Sequence, residues 1–217
     1  GGEACTIAIR IARAYSEKTK IAFCGYHGWH DWYLSVNLGK TDSLDGHLLP
    51  GLQPNGVPEG LAETTIPFKY NDIEALEKIF TDNKGDMAGI IMEPIRNEEP
   101  RAGFLEKVKE LARKNNAVLI FDEITAGWRE ITAGMHMKYG IEPDIAIFGK
   151  TISNGFPMAA IIGVDTVMEA AQNTFISSAY FTDRIGPASA LKTLQIHREI
   201  NAGQVVSEMG KFVQMQW

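Results

Sequence analysis

The sequence predicts an α/β protein in three layers, α/β/α, built on a mostly parallel mixed sheet. Short apolar runs bounded by turn residues read as buried parallel strands. Segments of helical periodicity alternate with them, the pattern of a sheet covered on both faces. Two of the runs end in residues that carry chemistry: Leu119-Ile120-Phe121 runs into Asp122, and Ile145-Ala146-Ile147-Phe148-Gly149 runs into Lys150, 28 residues later. Open α/β sheets bind ligands at the carboxyl ends of their strands, so an acid and an amine are delivered to the same edge.

Each element follows from its own residues. Ala4, Ala8, Ile11, Ala12 and Tyr15 recur at helical spacing, which predicts an amphipathic helix from Glu3 to about Ser16. Ile21-Ala22-Phe23 reads as a short strand. Residues 25–67 are rich in Gly, Pro, Asn and Asp and form a connection longer than usual, the kind that is functional or mobile. Asn71-Asp72 caps a helix through about Thr81. Met87–Met92 is a strand, Phe104–Lys114 a helix, and Val118–Phe121, Ile145–Phe148 and Ala159–Val164 are strands. A helix runs from Pro187 to about Ile200, breaks at Asn201-Ala202-Gly203 and resumes toward the end. There is no internal repeat.

Composition bounds the setting. The 217 residues are 45% hydrophobic and 22% charged, enough to bury a substantial core. A net charge of −6 with scattered Lys and Arg gives no nucleic-acid footprint. No apolar segment approaches the ~20 residues that span a bilayer, nothing at the start reads as a signal peptide, and the cytoplasm is the expected location. The two cysteines, Cys5 and Cys24, are expected as buried free thiols. The chain starts at Gly1 without Met and stops at Trp217, which points to an excerpt of a longer polypeptide.

A lysine and an aspartate at neighbouring strand ends suit pyridoxal phosphate. The lysine forms a Schiff base with its aldehyde, and the aspartate keeps the pyridine nitrogen protonated. An acid ending an apolar strand is costly to bury without a cation, and that nitrogen supplies one. Glu123 points to the opposite face by strand alternation. A desolvated lysine is the usual route to an amine nucleophilic near neutral pH, and as the free amine it would carry a proton between substrate and cofactor. Gly1 and Gly2 precede a helix whose exposed amides and dipole suit a phosphate. The ordinary readings are a surface lysine, a helix-capping aspartate and a flexible terminus. His27 and His30 have H-x-x-H spacing, yet neither a partner Glu nor a Cys cluster completes a metal motif, so no metal site is expected.

Taken in order, Gly1-Gly2-Glu3-Ala4, Tyr26-His27-Gly28-Trp29, Ile91-Met92-Glu93-Pro94, Leu119-Ile120-Phe121-Asp122-Glu123, Gly127-Trp128-Arg129 and Gly149-Lys150-Thr151-Ile152-Ser153-Asn154-Gly155-Phe156-Pro157 resemble class III pyridoxal-phosphate aminotransferases. Within that class the chain resembles most the branch containing glutamate-1-semialdehyde aminomutase. The resemblance implies fold type I, with residues 1–200 as the cofactor-binding large domain, 201–217 as the start of a connection toward a small domain, and a homodimer with shared active sites. It implies an amino donor and a carbonyl acceptor, or intramolecular amino transfer, with a non-catalytic binding or assembly module as the other class of function. It makes Lys150 and Asp122 catalytic, and Gly1, Gly2, Tyr26, His27, Asp122, Lys150 and Glu98 cofactor-binding, with Tyr26 stacked on the ring. Arg96, Trp128 and Arg129 are candidate substrate contacts. The stretch Ser177–Arg184 resembles the segment that offers a threonine to the neighbouring subunit's phosphate. Ala179 stands in the threonine's place, leaving Ser178 or Thr182 to substitute.

Overall fold

The computed structural model describes residues 1–40 and 42–217. Its elements are α1 (Gly2–Ser16), β1 (Lys20–Cys24), α2 (Asp31–Leu34), β2 (Thr65–Pro67), α3 (Ile73–Asp82), β3 (Met87–Met92), α4 (Phe104–Lys114), β4 (Val118–Asp122), α5 (His136–Tyr139), β5 (Ile145–Phe148), β6 (Ala160–Gly163), α6 (Asp165–Met168), α7 (Ile185–Glu199) and α8 (Ala202–Met215). The sheet order is β2-β1-β3-β4-β5-β6. The first five strands run parallel, and β6 lies antiparallel to β5 at the edge.

Strand alternation divides the core into two layers. Ile21, Phe23, Ile91, Val118, Ile120, Ile145 and Ile147 pack with the Ala4, Ala8, Ile11, Ala12 stripe of α1. Ala22, Cys24, Ile90, Met92, Leu119 and Phe121 pack with Leu76 and Phe80 of α3 and Leu105, Val108 and Ala112 of α4. Small residues let α1 approach closely: a Cβ on Gly89 of β3 would lie 2.7 Å from Val118 O and 3.6 Å from Ala12 Cβ. Tyr15, read as part of the apolar stripe, is 45% exposed, one residue before the helix ends. Asp72 caps α3 as expected, its carboxylate accepting Ala75 N–H at 3.0 Å.

The long connection after β1 carries regular elements among its described residues, a correction to its reading as one loop. It contains α2 and delivers β2, which pairs with β1 through Ile21–Thr65, Ala22–Ile66 and Phe23–Pro67. Its own side chains hold it down. Trp32, Tyr33, Val36 and Leu44 are buried in the α1 layer, Tyr33 Oη donates to Gly25 O at 2.9 Å, and Thr65 Oγ1 to Trp32 O at 2.7 Å. Strand β2 is three residues long and ends in proline, so neither length nor periodicity marks it. Among the described residues no helix is long and apolar enough to cross a membrane.

Candidate active site

The carboxyl ends of β1, β3, β4 and β5 and the amino end of α1 meet at one edge of the sheet. Gly28 sits at φ +102°, and a Cβ there would fall 2.7 Å from Gly2 Cα. A Cβ on Gly2 would in turn lie 3.0 Å from the His30 ring. The turn after β1 therefore clasps the start of α1 backbone to backbone, and only glycine permits the approach. Gly1 has no capping side chain, so the amides of the first turn are left for a ligand or solvent.

Asp122 ends β4 on the α1 face, in register with Ile147 of β5. One carboxylate oxygen accepts Ile124 N–H at 3.0 Å; the other lies 2.8 Å from His27 Nδ1 and 3.5 Å from Cys5 Sγ. His27 is 1% exposed, and its Nε2 lies 3.0 Å from Cys24 O. A carbonyl only accepts, so Nε2 carries a hydrogen, and one further proton lies between Nδ1 and the carboxylate. The buried acid thus finds its partner within the chain. This contact places His27 behind Asp122 in the interior. Burial first, then Asp122, hold the Cys5 thiol well above its ordinary pKa.

Glu123 projects to the other face, as alternation requires. It is fully buried and accepts Met135 N–H at 2.9 Å, His136 N–H at 2.8 Å and His136 Nδ1 at 2.8 Å. Those bonds pin the segment that carries Thr125 and Trp128. Trp128 packs on Phe148 at a centroid distance of 4.7 Å, and its carbonyl accepts His197 Nε2–H at 3.0 Å.

Lys150 follows β5 and Gly149 at φ +46°, and its Nζ donates to Thr125 Oγ1 at 2.7 Å. It is exposed in this chain, on the wall of an open cavity. The cavity, about 690 Å³, takes in Gly1, Lys150, Phe156, Met158, Ser178 and Tyr180 among its lining. Ile124 stands between the two ends of the site. A Cβ on Gly149 would come 3.2 Å from it and one on Gly1 3.7 Å.

The remaining candidates are placed as follows. Tyr26 is 36% exposed and packs edge-on against Tyr33 at 6.1 Å. Glu93 is buried, its pKa raised by burial; Oε2 lies 3.4 Å from Arg96 Nη1 without hydrogen-bond geometry. Arg96 also donates to His47 O at 2.9 Å. Glu98 is exposed in the loop after β3, and Arg129, also exposed, donates to Thr125 O at 3.1 Å. Ser178 lines the cavity with Lys150 and Gly1, whereas Asp122, Tyr26, His27 and Thr182 are not among its lining. Sequence reasoning missed Cys5, Ile124 and Thr125. Only the position of Ile124 and Thr125, directly after the Asp-Glu pair, could have signalled the latter two.

An open, nearly all-parallel sheet whose strand ends carry an acid and an amine beside a glycine-bounded helix start is the arrangement at which doubly wound α/β proteins bind small molecules. Comparison with known proteins makes this specific. The family model for aminotransferase class-III matches residues 1–216, and the chain belongs to that family. It is 39% identical over 218 residues to 3-aminobutyryl-CoA aminotransferase of Cloacimonas acidaminovorans (strain Evry), covering 97% of this chain and 49% of that protein. It is 35% identical over 223 residues to glutamate-1-semialdehyde 2,1-aminomutase of Sulfurihydrogenibium azorense, covering 99% and 51%. The structure of the PLP internal aldimine form of the Sphingopyxis sp. MTA144 FumI protein superposes with a TM-score of 0.79 at 25% identity, covering 92% of this chain and 46% of that one. The chain spans about half the length of these relatives.

Proposed function

We propose that this chain forms the cofactor-binding part of a pyridoxal-phosphate-dependent aminotransferase, moving an amino group from a donor to a carbonyl acceptor. The observation that carries the reading is the delivery of Asp122 and Lys150 to the ends of adjacent parallel strands, with the glycine-bounded start of α1 across Ile124 from them. The residues fit the cofactor. The uncapped first turn of α1, with Gly1 and Gly2, suits its phosphate; the Asp122 carboxylate suits its pyridine nitrogen; the Lys150 amine suits its aldehyde. Bound there, pyridoxal phosphate supplies an electron sink for negative charge at the substrate α-carbon.

The chain's own groups do the rest. Asp122, fixed by His27 and Ile124 N–H, would hold the cofactor's ring nitrogen and keep it protonated. The Lys150 amine, which donates to Thr125 Oγ1, would hold the cofactor's aldehyde and, as a free amine, would remove and return a proton. Tyr26 would cover a face of the cofactor ring, Glu98 would serve the substrate side, and Ser178 or Thr182 would reach the phosphate of a second copy in a homodimer. Residues 1–200 form the large domain and 201–217 begin the connection to a smaller one. Buried free Cys5 and Cys24 support a cytoplasmic setting. An intramolecular aminomutase is the second reading, favoured by the 35% identity to the Sulfurihydrogenibium enzyme.

The test is borohydride reduction of the full-length protein loaded with pyridoxal phosphate, followed by peptide mass analysis. The pyridoxyl mass is expected on Lys150, and Lys150→Ala is expected to lose both the label and turnover with every amine donor. Turnover retained by Lys150→Ala refutes the mechanism.

A further inference from the structure

The interior side of Asp122 has the makings of a second kind of site. Cys5 Sγ, His27 Nδ1 and Asp122 Oδ2 all lie within 4.8 Å of one another, and all three residues are buried. Sulfur, imidazole nitrogen and carboxylate oxygen are the three ligand types of tetrahedral zinc. The outer contacts are in place too. His27 turns its other ring nitrogen to Cys24 O at 3.0 Å, and the second Asp122 oxygen takes Ile124 N–H at 3.0 Å. Such partners fix the tautomer and orientation of metal ligands.

We propose that Cys5, His27 and Asp122 form a binding site for a thiophilic divalent cation of the zinc type. With metal–ligand bonds of about 2.3 Å to sulfur and 2.0 Å to nitrogen and oxygen, a tetrahedral ion sets its sulfur and oxygen ligands about 3.5 Å apart. The observed Sγ–Oδ2 distance is 3.5 Å. The corresponding nitrogen–oxygen separation is about 3.3 Å, so the 2.8 Å contact opens by roughly half an ångström as its hydrogen bond is replaced. The exchange balances. Bonds form from the cation to Sγ, Nδ1 and Oδ2; the S–H bond breaks, and its proton and the one between Nδ1 and Oδ2 leave to solvent. Two protons exit for one dication, and the buried cluster keeps its net charge, which avoids the cost of burying an uncompensated ion. The metal site stands on these three residues alone. Its competition with cofactor rests on the pyridine-binding role proposed above for Asp122.

The experiment titrates Co²⁺ into the full-length protein freed of pyridoxal phosphate. One equivalent is expected to bind with thiolate-to-cobalt charge-transfer absorption, displaced by Zn²⁺. Cys24→Ala should keep the band, Cys5→Ala should abolish it, and His27→Gln should weaken binding at least about tenfold. If Cys5→Ala does not fold, Cys5→Ser replaces it, since an oxygen cannot give the sulfur band. Absence of the band in the wild type, or its survival in Cys5→Ala or Cys5→Ser, overturns the site. Pyridoxal phosphate is then added to the zinc-loaded protein. Slowed or blocked uptake supports both readings, whereas unhindered uptake with the metal retained leaves the metal site standing and refutes the pyridine-binding role of Asp122.

Discussion

Gly28→Ala is the substitution whose cost can be worked most directly from the geometry. At φ +102° an L-residue is outside its comfortable left-handed region, which costs about 1–3 kcal/mol. The new Cβ would also meet Gly2 Cα at 2.7 Å, a backbone atom that cannot rotate away, and relieving that overlap costs about another 1–3 kcal/mol. The sum, about 2–6 kcal/mol, corresponds to a fall in melting temperature of roughly 5–20 °C for a domain of this size. Because bound cofactor would mask part of the loss, the assay is calorimetry of the cofactor-free protein. Gly39→Ala is the control: nothing lies within 4 Å of its Cβ position and its φ is −83°, so no loss, or a gain of up to about 1 kcal/mol, is expected. The substituted turn must move off the start of α1, so pyridoxal phosphate should also bind more weakly. If Gly28→Ala melts within a degree of Gly39→Ala, the backbone clasp described here does not exist.

Glu123→Gln puts an amide donor where three N–H groups converge, losing at least one charged hydrogen bond, about 1.5–3 kcal/mol, and the urea midpoint should fall with an unchanged slope. His47 has its pKa lowered to about 4, chiefly by burial, and its Nδ1 accepts Gly25 N–H at 3.3 Å. Its folded pKa lies below the unfolded value, so stability is full above about pH 6.5 and declines as the pH falls toward 4. The loss is smaller than the roughly 3 kcal/mol a fully buried ring would give, since His47 is only partly buried, and His47→Phe should flatten the profile in that window. Burial pushes the Cys24 thiol up to about 12 and Cys5 also well up, so alkylation with iodoacetamide at pH 8 should be negligible in the folded protein and should track unfolding in urea.

The parallel framework was legible because buried strands of this kind are nearly continuous apolar runs. Met87–Met92 and Ile145–Phe148 have the expected bounds, and α4 matches Phe104–Lys114. What escaped was set by partners rather than by local pattern. Strand β2 exists because Phe23 and its neighbours offer a free edge, and Thr65-Ile66-Pro67 by itself signals a turn. Asp122 and Lys150 were legible as residues at strand ends. Their surroundings were not: His27 meets Asp122 across 95 residues, and Cys5 meets it across 117. No spacing rule connects such positions until α1 is laid on the sheet.

The left-handed backbone at Lys150 has an energetic meaning of its own. A lysine held at φ +46° costs about 1–3 kcal/mol that a glycine in its place would largely escape. The framework around it, Gly149 on one side and the turn through Asn154-Gly155 on the other, therefore holds its amine against a local preference for a smaller residue. On the role proposed for Lys150, that conformational penalty is a part of the fold's stability given up for the placement of one amine.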